Sequence, residues 1–149
     1  MRLSARADYA LRAAAELAVG DGSPITAEHL ATVQGIPVKF LENILTQLRR
    51  ASLVRSQRGA SGGFWLARPA GDIALADIIR AVDGPLVGVR GARPEDVGYS
   101  GAAAPLQRVW IALRANERAI LEETTLEHIA SGKLPTRVID LAEDPQAWL

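Results

Sequence analysis

The sequence predicts a mainly α-helical fold carrying one small β-hairpin, and three observations lead there. The apolar share of the 149 residues rests on Ala, Leu, Ile and Val with few aromatics, which favours helices over a β-sandwich. Apolar residues recur at helical spacing in several separate segments. One stretch alone, RSQRGASGGFWLARP from Arg55 to Pro69, reads as two short strands around a glycine-rich tip.

The elements follow in chain order. Ser4 caps a first helix whose Ala10, Ala14, Leu17 and Ala18 keep one face until Gly20 and Gly22 end it. Thr26 caps a short second helix from Ala27 to about Val33, anchored by Leu30 and stopped at Gln34 and Gly35. A third helix starts around Pro37 and runs to about Ala51, with Phe40, Leu41, Ile44, Leu45 and Leu48 on one face and Lys39, Glu42, Asn43, Thr46, Gln47 and Arg50 on the other. Leu53–Ser56 and Gly63–Ala67 form the hairpin, and Pro69 stops the second strand from extending.

An amphipathic helix from Ala74 to Val82 ends at Asp83-Gly84-Pro85, and the glycine-rich segment 84–103 reads as a linker or loop. The longest helix is expected from about Ala104 to Glu123, its apolar stripe made by Leu106, Val109, Trp110, Leu113, Ile120 and Leu121. Thr124-Thr125-Leu126-Glu127 offers a capping box for a last short helix ending at Ser131-Gly132, and the tail 135–149 is expected to be loosely ordered. This divides the chain into a compact front over 1–83, the linker, a helical region over 104–134 and the tail.

Charge and composition then narrow the function. Formal net charge is zero, but residues 1–68 hold nine Lys/Arg against five Asp/Glu, and residues 69–149 hold eight against twelve. The basic front is where an anionic partner belongs. The chain has no cysteine, which excludes a disulfide framework, a thiolate zinc site and an iron-sulfur cluster held by cysteine. No window approaches the roughly 18 apolar residues of a membrane span, and MRLSARADYAL is not a signal peptide.

Gly59-Ala60-Ser61-Gly62-Gly63 matches the G-x-S-x-G pattern of a hydrolase elbow, but that elbow needs a helix after the turn. Here Phe64-Trp65-Leu66 and a proline follow, so no catalytic residue is assigned and no enzyme is expected. A phosphate loop fails too, since no Lys-Ser/Thr follows the glycines. His29 and His128 stand without partners at a metal-site spacing, and Glu117, Glu122 and Glu123 read as a solvated acidic face.

Helix, short helix, helix and hairpin in that order is the pattern of a winged helix-turn-helix, in which the third helix enters the DNA major groove. Lys39, Asn43, Gln47 and Arg50 supply long donors for that task. Glycines at the hairpin tip allow close approach to phosphates, with Arg58 adding charge. The competing reading of that polar face is a plain solvated surface. Phe64 and Trp65 divide between the core beneath the hairpin and a partly exposed position, and Tyr9 belongs either to the core or, with Arg12, beside a bound backbone. The stripe from Leu106 to Leu121 reads either as intramolecular core or, since the front has its own core and a linker precedes this long amphipathic helix, as a dimerisation element, which is the expectation.

The residues that carry these features, MRLSARADYAL, IPVKFLENILTQLRRASLV, RGASGGFWLARP and IALADIIRAVDGP, together resemble the Rrf2 family of bacterial winged-helix transcriptional regulators, most strongly over about the first 85 residues. The resemblance implies a cytoplasmic homodimer on a pseudo-palindromic double-stranded DNA operator, with the third helix in the major groove, the wing at the minor groove and the long helix crossing its dimer mate. Lys39, Glu42 and Asn43 look like the start of the recognition helix. Arg58 with Gly59, Ser61, Gly62 and Gly63 looks like the wing contact, and Arg2, Tyr9 and Arg12 resemble supporting contacts. Many members sense through three cysteines in the loop before the long helix; segment 84–103 has none. The expected function is therefore a repressor without an iron-sulfur cluster, either taking a small molecule or partner protein as its input or binding DNA constitutively, with an adaptor module lacking specific DNA binding as the alternative.

Overall fold

A computed structural model describes residues 2–149. Ser4 accepts the Ala7 N–H and opens α1 (Ala5–Val19), whose Ala7, Ala10, Ala13, Ala14 and Leu17 are buried. Thr26 caps α2 (Ala27–Gln34), and Gly35 ends it in the left-handed conformation at φ 63°. α3 (Val38–Arg50) turns Leu41, Ile44, Leu45 and Leu48 inward. The small residues of α1 let these helices approach closely, so one core forms from Ala and Leu with little aromatic filling.

The hairpin is β1 (Val54–Gln57) antiparallel to β2 (Gly63–Leu66), with Arg55 opposite Trp65 and Ser56 opposite Phe64. A third backbone segment joins it: the Ile25 N–H donates to Phe64 O at 2.9 Å and the Phe64 N–H to Ile25 O at 2.8 Å. The hairpin is thereby tied to the loop before α2. Phe64 packs on the core, while Trp65 is half-buried on the other face.

α4 (Leu75–Asp83) begins where the Asp77 carboxylate accepts the Ala74 N–H, and buries Ala76, Ile78 and Ile79. Segment 84–105 is an ordered excursion with 3-10 turns at Pro94–Asp96 and Gly101–Ala103, and it buries Pro94 and Val97. The chain then enters α5 (Leu106–Glu123) and α6 (Leu126–Ser131). At their junction the Leu75 N–H donates to Thr124 O and the Leu126 N–H to Ile73 O, both at 2.9 Å. Leu126 is wholly buried in the same core as Leu41 and Leu48, so α6 completes the packing of the front of the chain.

Three expectations change. Phe40 was expected on the inner face of α3 but is 61% exposed; it lies about 100° around the helix from Leu41, at the first turn, where Ile36 already closes the core. The expected capping box before α6 uses His128 instead of Glu127: Thr125 Oγ1 accepts the His128 N–H, and His128 Nδ1 accepts the Thr125 N–H at 3.0 Å. The tail, expected to be loose, forms α7 (Thr136–Glu143) and a 3-10 turn at Pro145–Trp148. Pro135 starts that helix, Arg137 pairs with Glu123, and the Trp148 indole donates to Ala142 O. Among the described residues no helix is long and apolar enough to cross a membrane.

Candidate nucleic-acid interface

The outer face of α3 follows from its inner one. With Leu41, Ile44, Leu45 and Leu48 buried, a 100° step per residue puts Lys39, Asn43, Thr46 and Arg50 on the opposite side, with Glu42 and Gln47 flanking them. Lys39, Glu42, Asn43 and Arg50 are exposed and Gln47 is half-buried.

Two of these side chains are held from behind. Arg6 Nη2 donates to Asn43 Oδ1 at 2.6 Å, and Arg6 Nε donates to Gln47 Oε1 at 3.0 Å. Engaging both carbonyl oxygens fixes the orientation of the amides and leaves their N–H groups as available donors. Sequence reading missed Arg6. The signal was present: Arg6 precedes Ala10, Ala13 and Leu17 on the buried stripe of α1, and a cation at the edge of such a stripe needs a partner.

Arg12 and Tyr9 work inside the chain. Arg12 Nε donates to Gln34 Oε1 at 3.2 Å, its Nη2 donates to Gln34 O, and its Nη1 pairs with Asp8 at 3.0 Å. Its guanidinium lies 5.3 Å from the centre of the Tyr9 ring. Arg12 thus supplies donors to the C-terminal carbonyl end of α2 and locks α2 to α1. Arg2 is exposed.

At the wing, Gly59 takes φ 106° and Gly63 φ 148°. A Cβ on Gly63 would lie 2.6 Å from the backbone of Ile25, and one on Gly62 2.2 Å from Gln57 O. The glycines are thus required by the turn and by the strap to Ile25. Arg58 and Ser61 stand exposed at the tip, whereas Gly62 is buried. A strand follows Ser61, so the geometry of a nucleophile elbow is not there.

Behind the hairpin, Arg49, Arg55 and Arg68 surround Trp65 in a concavity of about 600 Å³. None of the three was singled out from sequence. The alternation that puts Arg55 opposite Trp65 was readable from the strand period, but their meeting with Arg49 of α3 depends on the tertiary fold.

The expected dimerisation stripe is split. Leu106, Val109 and Leu113 are 39%, 53% and 41% exposed. Trp110 is half-buried with its indole donating to the Tyr99 hydroxyl at 3.0 Å, and Ile120 and Leu121 are half-buried near the end of the helix that meets α4. The open part of the stripe is its N-terminal half.

Comparison with known proteins fixes the lineage. The model of the Rrf2 family, described as iron-dependent transcriptional regulators, matches residues 3–132. This chain belongs to the Rrf2 family. It is 50% identical over 148 residues to Rv1287 of Mycobacterium tuberculosis strain H37Rv, provisionally named an HTH-type transcriptional regulator, covering 99% of this chain and 92% of that protein. The HTH-type transcriptional regulator CymR of Bacillus subtilis is 34% identical, covering 88% and 91%. A solved structure of B. subtilis CymR, described as the global cysteine regulator, superposes with a TM-score of 0.75 at 31% identity, covering 89% and 98%; that of T. potens IscR superposes at 0.70 with 29% identity, covering 89% of each chain. The fold is a winged helix-turn-helix, and this Rrf2 protein is a DNA-binding transcriptional regulator.

The iron dependence in the family's description does not fit the donors of this member. Its sequence has no cysteine, and among the described residues no three His, Asp or Glu side chains gather where they could hold a metal ion.

Proposed function

We propose that this Rrf2 protein is a cytoplasmic homodimer that binds a pseudo-palindromic operator and represses transcription, with no iron-sulfur cluster and no catalytic step. The observation that carries this reading is the outer face of α3, where Lys39, Asn43, Gln47 and Arg50 present donors and Arg6 orients two of them. Such a face suits purine N7 and O6 acceptors in the major groove and the phosphates beside it. Arg58 and the wing glycines add a backbone or minor-groove contact, and Glu42 accepts from an exposed cytosine amine. Arg2 supplements these at the start of α1, while Tyr9 and Arg12 support the surface by holding α2.

Leu106, Val109 and Leu113 supply the seam between two copies. A two-fold pair carries two α3 helices, which calls for half-sites about one helical turn, roughly 34 Å, apart. Repression follows from occupying such a site within a promoter.

Selection of bound sequences from random and upstream DNA by gel shift, with light scattering of the free protein, tests this. The expected result is an enriched inverted repeat, a dimer in solution, and affinity that falls steeply with salt. Lys39→Ala and Arg58→Ala should each weaken binding and flatten the salt slope by about one. An absence of any enriched sequence favours an adaptor role, and unchanged affinity in both variants refutes the assigned surface.

A further inference from the structure

The linker expected over 84–103 does not trail away from the protein. It folds back and, with α4 and α5, borders an open concavity of about 530 Å³, within the range that small-molecule sites occupy. Arg80 of α4, Arg93 of the excursion, and Arg114 and Arg118 of α5 line it, opposed by Glu95. Pro85, Leu86 and Val87 supply an apolar wall.

The arginines are unevenly satisfied. Arg80 Nη2 and Arg118 Nε share one oxygen of Glu122, at 2.5 and 3.0 Å, and Arg114 pairs with Glu95. The Arg93 side chain makes no hydrogen bond or ion pair among the described residues; it acts on Glu95 only through its field. Glu122 is held below its ordinary carboxylate range by Arg80 and then Arg118. Glu95 is held low by its own backbone N–H, then by Arg114 and the field of Arg93. Two carboxylates thus pair with three of the four guanidinium groups that line the concavity, leaving positive charge and forked donors unused.

We propose that this cavity binds a small organic anion, whose carboxylate or phosphate group takes the place of Glu95 and Glu122 among the arginines while its carbon body packs on Pro85, Leu86 and Val87. The site spans α4, which packs on the DNA-reading core, and α5, which carries the exposed apolar row. A ligand that draws Arg80 away from Glu122 breaks the side-chain ion pair that joins those two helices, and so alters the angle between the DNA-reading core and the seam. The regulatory consequence rests on the operator-binding reading above; the binding site itself does not.

The test uses the full chain, with inorganic phosphate, inorganic sulfate, succinate and glycerol 3-phosphate as probes, at constant ionic strength held with chloride. Calorimetry and thermal shift should show saturable binding of one anion per chain, tighter for the organic probes. Arg93→Gln should leave the ligand-free melting temperature unchanged and weaken binding about tenfold, the size of one lost charge-assisted hydrogen bond. No saturable binding by any probe, or equal binding by Arg93→Gln, overturns the site. Tighter binding of the inorganic ions refutes the apolar wall as part of it. In a parallel gel shift on the selected operator, an anion that binds but leaves operator affinity within about twofold refutes the regulatory role. If instead no operator is ever selected while anions still bind, the operator reading fails and the site stands.

Discussion

Replacing Gly63 by Ala tests whether the wing is strapped to the loop before α2 as the structure has it. An alanine Cβ would sit 2.6 Å from the Ile25 backbone at a residue with φ 148°, and no flexible side chain is available to give way. Relief requires β2 to move off Ile25, which breaks the two reciprocal hydrogen bonds of 2.9 and 2.8 Å, each contributing about 1 kcal/mol net. The unfavourable φ adds about 1 kcal/mol, for a total near 3 kcal/mol. In a chain of this size that lowers Tm by about 6–12 °C. Gly59→Ala is the control: it shares a positive φ, 106°, but its Cβ meets nothing within 4 Å, so it should cost about 1 kcal/mol. Thermal and urea unfolding of both variants measure the difference. Equal losses, or a loss below about 1 kcal/mol in Gly63→Ala, would show that the Ile25 strap does not hold the wing.

Two further outcomes follow from side-chain geometry. Arg6→Ala should lower operator affinity about tenfold in gel-shift titrations, because the Asn43 and Gln47 amides lose the bonds that aim them; unchanged affinity would mean those amides are not read through. Arg80 and Arg118 hold the Glu122 carboxyl below its ordinary value of 4.5, so its contribution is full above that value and lost as pH falls through the lower folded one. Wild type and Glu122→Gln should therefore differ in denaturant midpoint at neutral pH and converge in strong acid, with a gap that persists in acid counting against the pairing.

The helices and hairpin were legible because their signals are local. Ser4 and Thr26 cap as their positions imply, Gly35 ends α2, and the period of Leu41, Ile44, Leu45 and Leu48 fixes the inner face of α3. What the sequence concealed needs two distant segments at once. The Ile25 bridge has no strand-length signal of its own, and Arg6 takes its meaning only when α3 lies across α1. Phe40 misled because an apolar residue at the first turn was counted into a stripe whose direction the later turns decide. The segment 84–105 is the loop its glycines and prolines announce, but those residues do not report that its turns pack on α5. Among the residues proposed to contact DNA, the outer face of α3 was readable from periodicity, while the internal employment of Arg12 with Gln34 was not.

The burial of Leu126 bears on how the protein is made. During synthesis the first five elements emerge early, yet the core they form stays open at the place that Leu126 fills, and α1 packs on α6 from nearly the other end of the chain. The DNA-reading part therefore gains its full stability only after the ribosome has delivered α5 and α6. Until then it is a partial core with exposed apolar surface, and a chain cut short in the excursion would be left in that state. A nascent or truncated product is thus poorly placed to occupy an operator before the segment proposed to pair two copies exists.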